Sequence, residues 1–356
     1  MIYYFIGFIL TINYLYSESK FPKFMSHLNL LKYETIILVL FAGLRSITVG
    51  TDTLTYCRIF ESIANGGAFG EGERFEIGYK LFVRLIASIS SNPHVFIFVS
   101  AVVVYVGLYL FLKNNSDSPV FSILLFYLIF FCNSLNISRQ YVGLAVAINS
   151  LTYIKSKKYV KALLLILIGT TIHTACIILL VVLIISFFKQ NYKWMIAMVI
   201  LSVLSVIFYK NILQIIIRFF PAYSFYFTYS FFEGDGRVGR LTILMILLLV
   251  WNIVKYRNRY VEYYRTGKGF DEVSDTILIS ETMILACSIG ILASQFVMLD
   301  RISEILNIFV VLMIPQMTEG KYKKLCEIGL IAVFFFYMYI VINYGGIGVE
   351  PYSFLN

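Results

Sequence analysis

Residues 118–135 read SPVFSILLFYLIFFCNSL, and this stretch decides the fold class. It contains no charged residue, and an α-helix of that length extends roughly 27 Å, close to the ~30 Å hydrocarbon core of a bilayer. Of all 356 residues, 60% are hydrophobic and 14% are charged. Soluble domains are about 45–50% apolar and about 25% charged. The sequence therefore indicates an all-α polytopic membrane protein and excludes an ordinary soluble enzyme.

Similar apolar runs predict about twelve transmembrane helices in a single integral membrane domain, residues 1–356. The hydrocarbon core offers no hydrogen-bond partners, and a helix pairs its own backbone N–H and C=O groups. The predicted spans are 1–16, 34–49, 94–112, 118–135, 139–154, 159–172, 173–188, 193–209, 240–255, 276–298, 302–318 and 326–344. The first run lacks a basic n-region and a cleavage site, so we read it as a retained helix. We expect residues 159–188 to form a hairpin that turns at Gly169–Thr171, which puts His173 on the far side.

The basic residues on the two predicted sides of the membrane differ in number and in type. Eighteen of the 29 Lys and Arg residues lie in alternate connecting segments, which the positive-inside rule assigns to the cytoplasm, with both termini outside. These eighteen are mostly lysine, whereas nine of the eleven on the outer side are arginine. Arginine binds phosphate with two parallel hydrogen bonds and keeps its charge when partly buried. We therefore predict an anionic ligand at the outer membrane boundary, with ion pairing to the outer acids as the alternative.

The net charge of +9 does not indicate nucleic acid here, because the lysines set the orientation of the chain instead. The five cysteines form no CxxC pair, and four of them lie in or beside apolar runs, so neither a metal site nor a disulfide framework is predicted. Walker A and GxGxxG fingerprints are absent from the sequence. We therefore expect no nucleotide, cofactor or metal.

Two outer loops are long. Loop 50–93 contains an amphipathic pattern from Ile77 to Ile89 that predicts a helix lying on the membrane. Loop 210–239 contains an aromatic stretch around Tyr226, which could stack on sugar rings or form an interfacial aromatic belt.

Five short motifs at outer span edges carry the candidate chemistry. The first runs from Gly43 through Arg45 to Asp52 and continues to Tyr56. The others are Glu76-Ile77-Gly78-Tyr79, Ser138-Arg139-Gln140, His173-Thr174-Ala175 and Asp300-Arg301. Each motif also has a purely structural interpretation. In order, these are a helix that stops at glycine with a cap for the next helix, a carboxylate favoured at a helix start, and the polar N-terminus of a helix. The histidine could simply be buried, and Asp300 and Arg301 could form local ion pairs. A helix N-terminus that carries arginine suits phosphate, and a histidine suits proton transfer.

In the order and spacing of these motifs the sequence resembles the EpsG family, a branch of the Wzy-type O-antigen and exopolysaccharide polymerases. The resemblance is concentrated in residues 43–180. It implies a GT-C-like, metal-independent glycosyltransferase of the bacterial inner membrane that joins undecaprenyl-diphosphate-linked oligosaccharide repeat units on the periplasmic face. Both termini are then periplasmic, and the chemistry is expected to invert the anomeric centre. A chain-length regulator is a possible partner.

The expected roles follow from this resemblance and from the residue types. Three arginines are expected to bind the diphosphate: Arg45, Arg139 and Arg301. Three residues are candidates for the base that activates the acceptor hydroxyl: His173, which we rank first, Asp52 and Glu76. Four residues are expected to bind substrate: Gln140, Tyr56, Tyr79 and Tyr226. A flippase for the same lipid-linked oligosaccharide and an O-antigen ligase-type transferase are the alternatives.

Overall fold

The computed structural model describes residues 1–19, 25–188, 192–209, 236–266 and 270–355, with scattered positions between 211 and 234. Within these residues the protein is helical, and its only β-pairing is an isolated bridge between Arg45 and Phe354. The chain divides into two compact units. Unit 1 is Met1–Leu179 with Thr318–Asn356, and unit 2 is Leu180–Met317. The single membrane domain over 1–356 stays a prediction.

Unit 1 contains ten α-helices among its described residues. They are α1 (Ile2–Ser17), α2 (His27–Gly43), α3 (Thr53–Ala64), α4 (Ile77–Ala87), α5 (Pro93–Asn115), α6 (Pro119–Asn136), α7 (Ser138–Ala147), α8 (Ser150–Lys155), α9 (Tyr159–Ile172) and a C-terminal helix, Lys323–Tyr344. Short 3₁₀ helices cover Gly70–Arg74 and Thr174–Ile178. Helix α6 forms the centre, since most of its residues are buried.

The described part of unit 2 consists of α10 (Leu179–Phe187, which begins at the last residue of unit 1), α11 (Tyr192–Ile207), α12 (Arg240–Thr266), α13 (Phe270–Ala293), α14 (Met298–Asn307) and α15 (Val310–Met317). The C-terminal helix of unit 1 is therefore α16. Gly234 and Gly236 donate backbone hydrogen bonds to Gln295 and Ser294, which holds the end of the predicted loop 210–239 against the end of α13. Most of that loop, including Tyr226, lies outside the described residues.

Five described helices are long and apolar enough to cross a membrane. They are Pro93–Asn115, Pro119–Asn136, Arg240–Asn258, Asp275–Ala293 and Lys323–Tyr344. Helices α1 and α9 and the segment Thr174–Phe187 are apolar but shorter. These helices make the chain a membrane protein, while the total of twelve spans and the GT-C fold stay predictions.

The structure corrects the predicted span 34–49, because α2 begins and ends earlier. The Ser26 hydroxyl caps the start of the helix by accepting the Asn29 N–H at 3.2 Å, and the helix ends at Gly43. The apolar residues that follow are buried in a loop instead, with Val49 fully buried. Burial in a loop and burial in a helix leave the same apolar signal in the sequence.

The partner of this loop is the C-terminal tail, residues 345–355. The backbone N–H groups of Ser46, Gly50 and Thr51 donate to Ser353, Gly348 and Ile347 at 2.8–3.1 Å. The Leu355 N–H donates back to Leu44 O at 3.0 Å, and the Tyr3 hydroxyl donates to Val349 O at 2.7 Å. The tail therefore fixes the conformation of residues 44–51.

Two predicted spans are each two helices in the structure. Span 139–154 is interrupted at Ile148–Asn149, between α7 and α8, and span 302–318 at Ile308–Phe309, between α14 and α15. The break after α9 also falls later than predicted. The helix continues through Gly169–Thr171 to Ile172, and the 3₁₀ helix follows at Thr174.

Helix α4 confirms the amphipathic helix expected in loop 50–93. Its buried face contains Tyr79, Val83 and Ile86, which are at most 5% exposed. A second apolar stripe, Ile77 and Leu81 with Leu85, is more than half exposed. Such a stripe suits the boundary between water and lipid.

Candidate active site

The carboxylate of Glu76 joins three separate elements of unit 1. Glu76 occupies the N-cap position of α4, but its side chain does not cap that helix. One oxygen, Oε2, accepts a hydrogen bond from Arg139 Nη1, near the start of α7. The other, Oε1, accepts the Thr174 N–H at 2.9 Å and the Thr174 hydroxyl at 2.8 Å. The carboxylate thus ties α4 to the N-terminal ends of α7 and of the 3₁₀ helix 174–178.

His173 completes this cluster from the end of α9. Its Nδ1 lies 3.6 Å from Glu76 Oε1, and its Nε2 lies 3.3 Å from Gln140 Oε1. The histidine is 8% exposed and Gln140 is 1% exposed. A carboxylate on one ring nitrogen fixes the orientation and tautomer of an imidazole, and it stabilises the imidazolium if the other nitrogen takes a proton.

Close packing of α7 against α9 makes this approach of His173 possible. A Cβ added at Gly143 would lie 3.1 Å from His173 Cβ and 3.0 Å from Gly169 O. A Cβ added at Gly169 would lie 2.5 Å from Ala147 Cβ. Small residues allow two helix backbones to approach in this way. The two glycines therefore set the distance between the histidine and α7.

Aromatic rings support the guanidinium of Arg139. Its Cζ lies 4.5 Å from the ring centroid of Phe75 and 5.9 Å from that of Tyr79. The rings of Phe75, Tyr79 and Tyr56 pack edge-on or tilted against one another at 5.4–6.2 Å. Tyr56 and Tyr79 are 8% and 1% exposed, so both form the base of the site. Their role in substrate binding stays a prediction.

The electrostatics keep Glu76 ionised. Burial alone would raise the pKa of its carboxyl group, but the nearby His173 ring, the positive charge of Arg139 and the Thr174 N–H outweigh it and lower the pKa to about 2. A carboxylate that accepts so many hydrogen bonds is a weak base at neutral pH. The geometry therefore favours Glu76 as the group that holds Arg139 and orients His173.

Arg139 keeps hydrogen-bonding capacity in this arrangement. One terminal nitrogen binds Glu76, and Nε is buried without a hydrogen-bond partner among the described residues. The side chain is still 16% exposed. The exposed part of the guanidinium can therefore donate a charge-assisted hydrogen bond to an incoming anion.

Arg45 lies in a different environment from Arg139. It is 3% exposed, and its guanidinium donates to Ala42 O and, at 3.1 Å, to Leu135 O. These carbonyl groups end α2 and α6, where a positive charge is favourable. The described contacts of Arg45 are those of a helix-end cap, and its role as a diphosphate ligand stays a prediction.

Asp52 and Arg139 are connected through the junction of α6 and α7. The Asn136 side chain accepts the Asp52 N–H at 2.9 Å and the Thr51 hydroxyl at 3.0 Å, three residues before Arg139. Asp52 itself is half-buried. Gly50 precedes it with φ of 96°, a left-handed conformation that favours glycine.

Arg301 belongs to unit 2, on α14 beside Asp300, and is half-buried. The structure brings Glu76, Arg139, Gln140 and His173 from the sequence motifs together in one cluster. Thr174 belongs to the His173 motif but had no predicted role, and Phe75 is a further member outside the motifs. Grouped metal ligands, with three or more His, Cys, Asp or Glu side chains together, are absent from the described residues.

The apolar helices of the described residues define a helical membrane protein. The model of the EpsG family matches residues 33–354, so the chain belongs to the EpsG family, a Wzy-like polysaccharide polymerase family. Membership confirms the resemblance seen in the sequence, and at a coarse level it implies a glycosyltransferase-type polymerase. No curated protein and no solved structure matches this chain.

Proposed function

We propose that the protein joins oligosaccharide repeat units carried on undecaprenyl diphosphate, by glycosyl transfer at the periplasmic face of the bacterial inner membrane. The growing chain leaves its lipid diphosphate and is transferred to a hydroxyl group of the next repeat unit. The observation that carries this proposal is Arg139, whose guanidinium is held by Glu76 on one side while 16% of its side chain remains exposed. The side chain offers a preorganised donor for a diphosphate oxygen.

Arg139 supplies the electrostatic part of the reaction. Negative charge develops on the diphosphate as the glycosyl–phosphate bond breaks, and a fixed guanidinium stabilises that charge without reorganisation. The start of α7 adds the positive end of a helix dipole. The diphosphate-binding role of Arg301 stays a prediction, and the burial of Arg45 favours a supporting role for Arg45.

His173 is the proposed base. In the contact with Gln140 Oε1, which can only accept, Nε2 carries the ring proton. His173 therefore acts as the base once Gln140 has released it and the proton lies on Nδ1, toward Glu76. On release, Gln140 exchanges its contact with the ring for one with the acceptor sugar. The acceptor hydroxyl then gives its proton to Nε2, and Glu76 on the opposite side of the ring stabilises the imidazolium that forms. Asp52 is the alternative base, since it lies at the same junction of α6 and α7.

The exposed stripe of α4 supports a site at the membrane boundary. Ile77 and Leu85 are 62% and 66% exposed, one and nine residues after Glu76. If these side chains enter the outer interface of the bilayer, the carboxylate of Glu76 lies at the depth of lipid phosphate groups. A lipid-linked diphosphate would then reach Arg139 without leaving the membrane.

The test is a reconstituted assay with purified protein and a defined lipid-linked repeat unit. Wild type should give a ladder of longer chains, and Arg139→Ala should leave single repeats because the leaving group loses its main stabilisation. His173→Asn should also lose the ladder while still binding the donor, since it removes the base. The matched control is Arg84→Ala, an exposed arginine of α4 outside the cluster, which should leave the ladder unchanged.

The products separate the alternatives. Transfer of the saccharide to a different acceptor would identify a ligase. Movement of the lipid-linked unit across the bilayer without a new bond would identify a flippase, for which the fully buried Glu281 in a candidate span is the residue to test. A normal ladder from Arg139→Ala would remove Arg139 from the site and overturn the proposal.

A further inference from the structure

Unit 1 contains a cavity whose lining includes none of the residues of the Glu76 cluster. It is a cleft of about 540 Å³ between α5, the α7–α8 segment and α9. Its walls are mainly apolar and include Val102, Val106, Leu110, Ala145, Val146 and Leu165. Val106 and Leu110 are 43% and 42% exposed, so the cleft opens at the surface of the helical bundle. We call it the α5–α8 cleft.

The break between α7 and α8 fixes the shape of this cleft. Asn149, at the break, donates from its side-chain amide to Gly107 O at 3.0 Å and to Ala145 O at 2.8 Å. A Cβ added at Gly107 would lie 2.5 Å from Ala145 O, so α5 and α7 are in direct backbone contact there. Asn149 thus forms hydrogen bonds with two carbonyl groups near the break, and these bonds hold the helices that form the walls of the cleft in place.

One end of the cleft is basic. Tyr153 lines this end, and Lys161 Nζ lies 5.9 Å from the centroid of its ring. Asn114 lines the same end and follows the exposed Lys113. Residues 153–161 contain four lysines and no acidic residue. This end lies beyond the break between α7 and α8, fourteen residues after Arg139, and its lysines contact none of the residues of the candidate active site in the described contacts.

We propose that the α5–α8 cleft holds one acyl chain of an anionic phospholipid, with the lipid phosphate against Lys113 and Lys161. The apolar walls accept a hydrocarbon chain, and the cleft is open on the side from which a membrane lipid can enter. Charge complementarity selects the headgroup, since each lysine near the membrane surface strengthens binding of an anionic lipid roughly fivefold. A zwitterionic lipid can fill the same cleft, but it does not gain this additional affinity from the lysines.

Native mass spectrometry of the purified full-length protein tests the proposal. Delipidated protein is titrated with phosphatidylglycerol or with phosphatidylcholine of the same acyl chains. We expect one phosphatidylglycerol to bind at a concentration at least tenfold lower than phosphatidylcholine. Lys113→Gln combined with Lys161→Gln should remove this preference, and Lys324→Gln, an exposed lysine elsewhere in unit 1, should retain it.

A second pair of variants tests the cleft itself. Val106→Trp fills it and should abolish binding of both lipids, whereas Val160→Trp adds the same side chain at a position that is 73% exposed and does not line the cleft. Both variants should keep a cooperative thermal transition, which shows that they fold. Equal binding of the two lipids, or a lipid retained by Val106→Trp, would overturn the proposal.

The identity of the lipid is tested by competition. If undecaprenyl diphosphate displaces phosphatidylglycerol at equal concentration, the cleft holds the tail of the lipid carrier and the assignment to a phospholipid is wrong. The proposal does not depend on glycosyl transfer at Arg139. A protein that binds phosphatidylglycerol but makes no ladder would refute the proposed function and leave the lipid site intact.

Discussion

Replacing Glu76 with glutamine should destabilise unit 1 in a pH-dependent way. The pKa of Glu76 falls from 4.5 to about 2 in the folded protein, and its side chain and that of Arg139 are only 18% and 16% exposed. This fall in pKa corresponds to roughly 3 kcal/mol of stability at neutral pH. Removal of one partner of a buried pair gives a loss of the same order. For a domain of this size that is a fall in Tm of roughly 6–12 °C.

The sign of the pH dependence is fixed by the direction of the shift. Because the folded pKa lies below the unfolded one, the contribution of Glu76 is complete above pH 4.5 and is lost as the pH falls toward 2. The difference in Tm between wild type and Glu76→Gln should therefore be constant from pH 8 to about 5 and shrink below it. Thermal unfolding in detergent measures both curves.

The matched control is Glu73→Gln. Glu73 pairs with Lys80 at 3.1 Å, but its side chain is 72% exposed, so the loss of this pair should change Tm by no more than about 2 °C. If Glu76→Gln unfolds at the wild-type temperature at pH 7, the carboxylate of Glu76 does not stabilise unit 1 and the reasoning is refuted. A difference that persists undiminished at pH 3 would show that the effect comes from something other than its charge.

Four further variants extend this reasoning. Gly143→Ala should displace His173 by a few tenths of an ångström, so we expect about a tenfold loss of polymerisation rate with a smaller change in Tm, measured in the ladder assay and by thermal unfolding. Deletion of 346–356 removes the backbone partners of the loop after α2, and the Tm and the ladder should both decrease. Arg45→Lys should lower the Tm by several degrees, since one ammonium cannot reach both helix ends, whereas Arg139→Lys should mainly lower kcat.

The sequence predicts the helical elements well where a local pattern defines them. The apolar spacing of residues 77–89 gives α4, and the uncharged run at 118–135 gives α6. It fails for 34–49, because the partner that covers this loop is the C-terminal tail, about 300 residues away, and a pattern in one segment does not reveal a distant partner. The same reason explains the break at Asn149, whose side-chain amide donates to the Gly107 carbonyl group of α5.

For the site, the sequence identifies the residues but not their contacts. Glu76 and Arg139 are 63 positions apart and Glu76 and Thr174 are 98 apart, so only the packing of α4, α7 and α9 brings them together. The sequence motifs also predict the same role, diphosphate binding, for Arg45 and Arg139, because both lie near the ends of predicted spans. Their difference is one of burial, which depends on the tail that covers Arg45 and on the aromatic rings that support Arg139.

The two interpretations of the outer arginines, ion pairing and ligand binding, are compatible at Arg139. Glu76 uses one nitrogen of the guanidinium and fixes its plane, and the remaining N–H groups keep their capacity for an anion. An anion at Arg139 would weaken the hold of Arg139 on Glu76 Oε2, because two negative groups would share one positive charge. The carboxylate would then depend more on His173 Nδ1, which lies 3.6 Å away, and a closer carboxylate favours the protonated imidazole. Through this shared carboxylate, binding of a diphosphate would make His173 a stronger base at the moment the acceptor hydroxyl has to lose its proton.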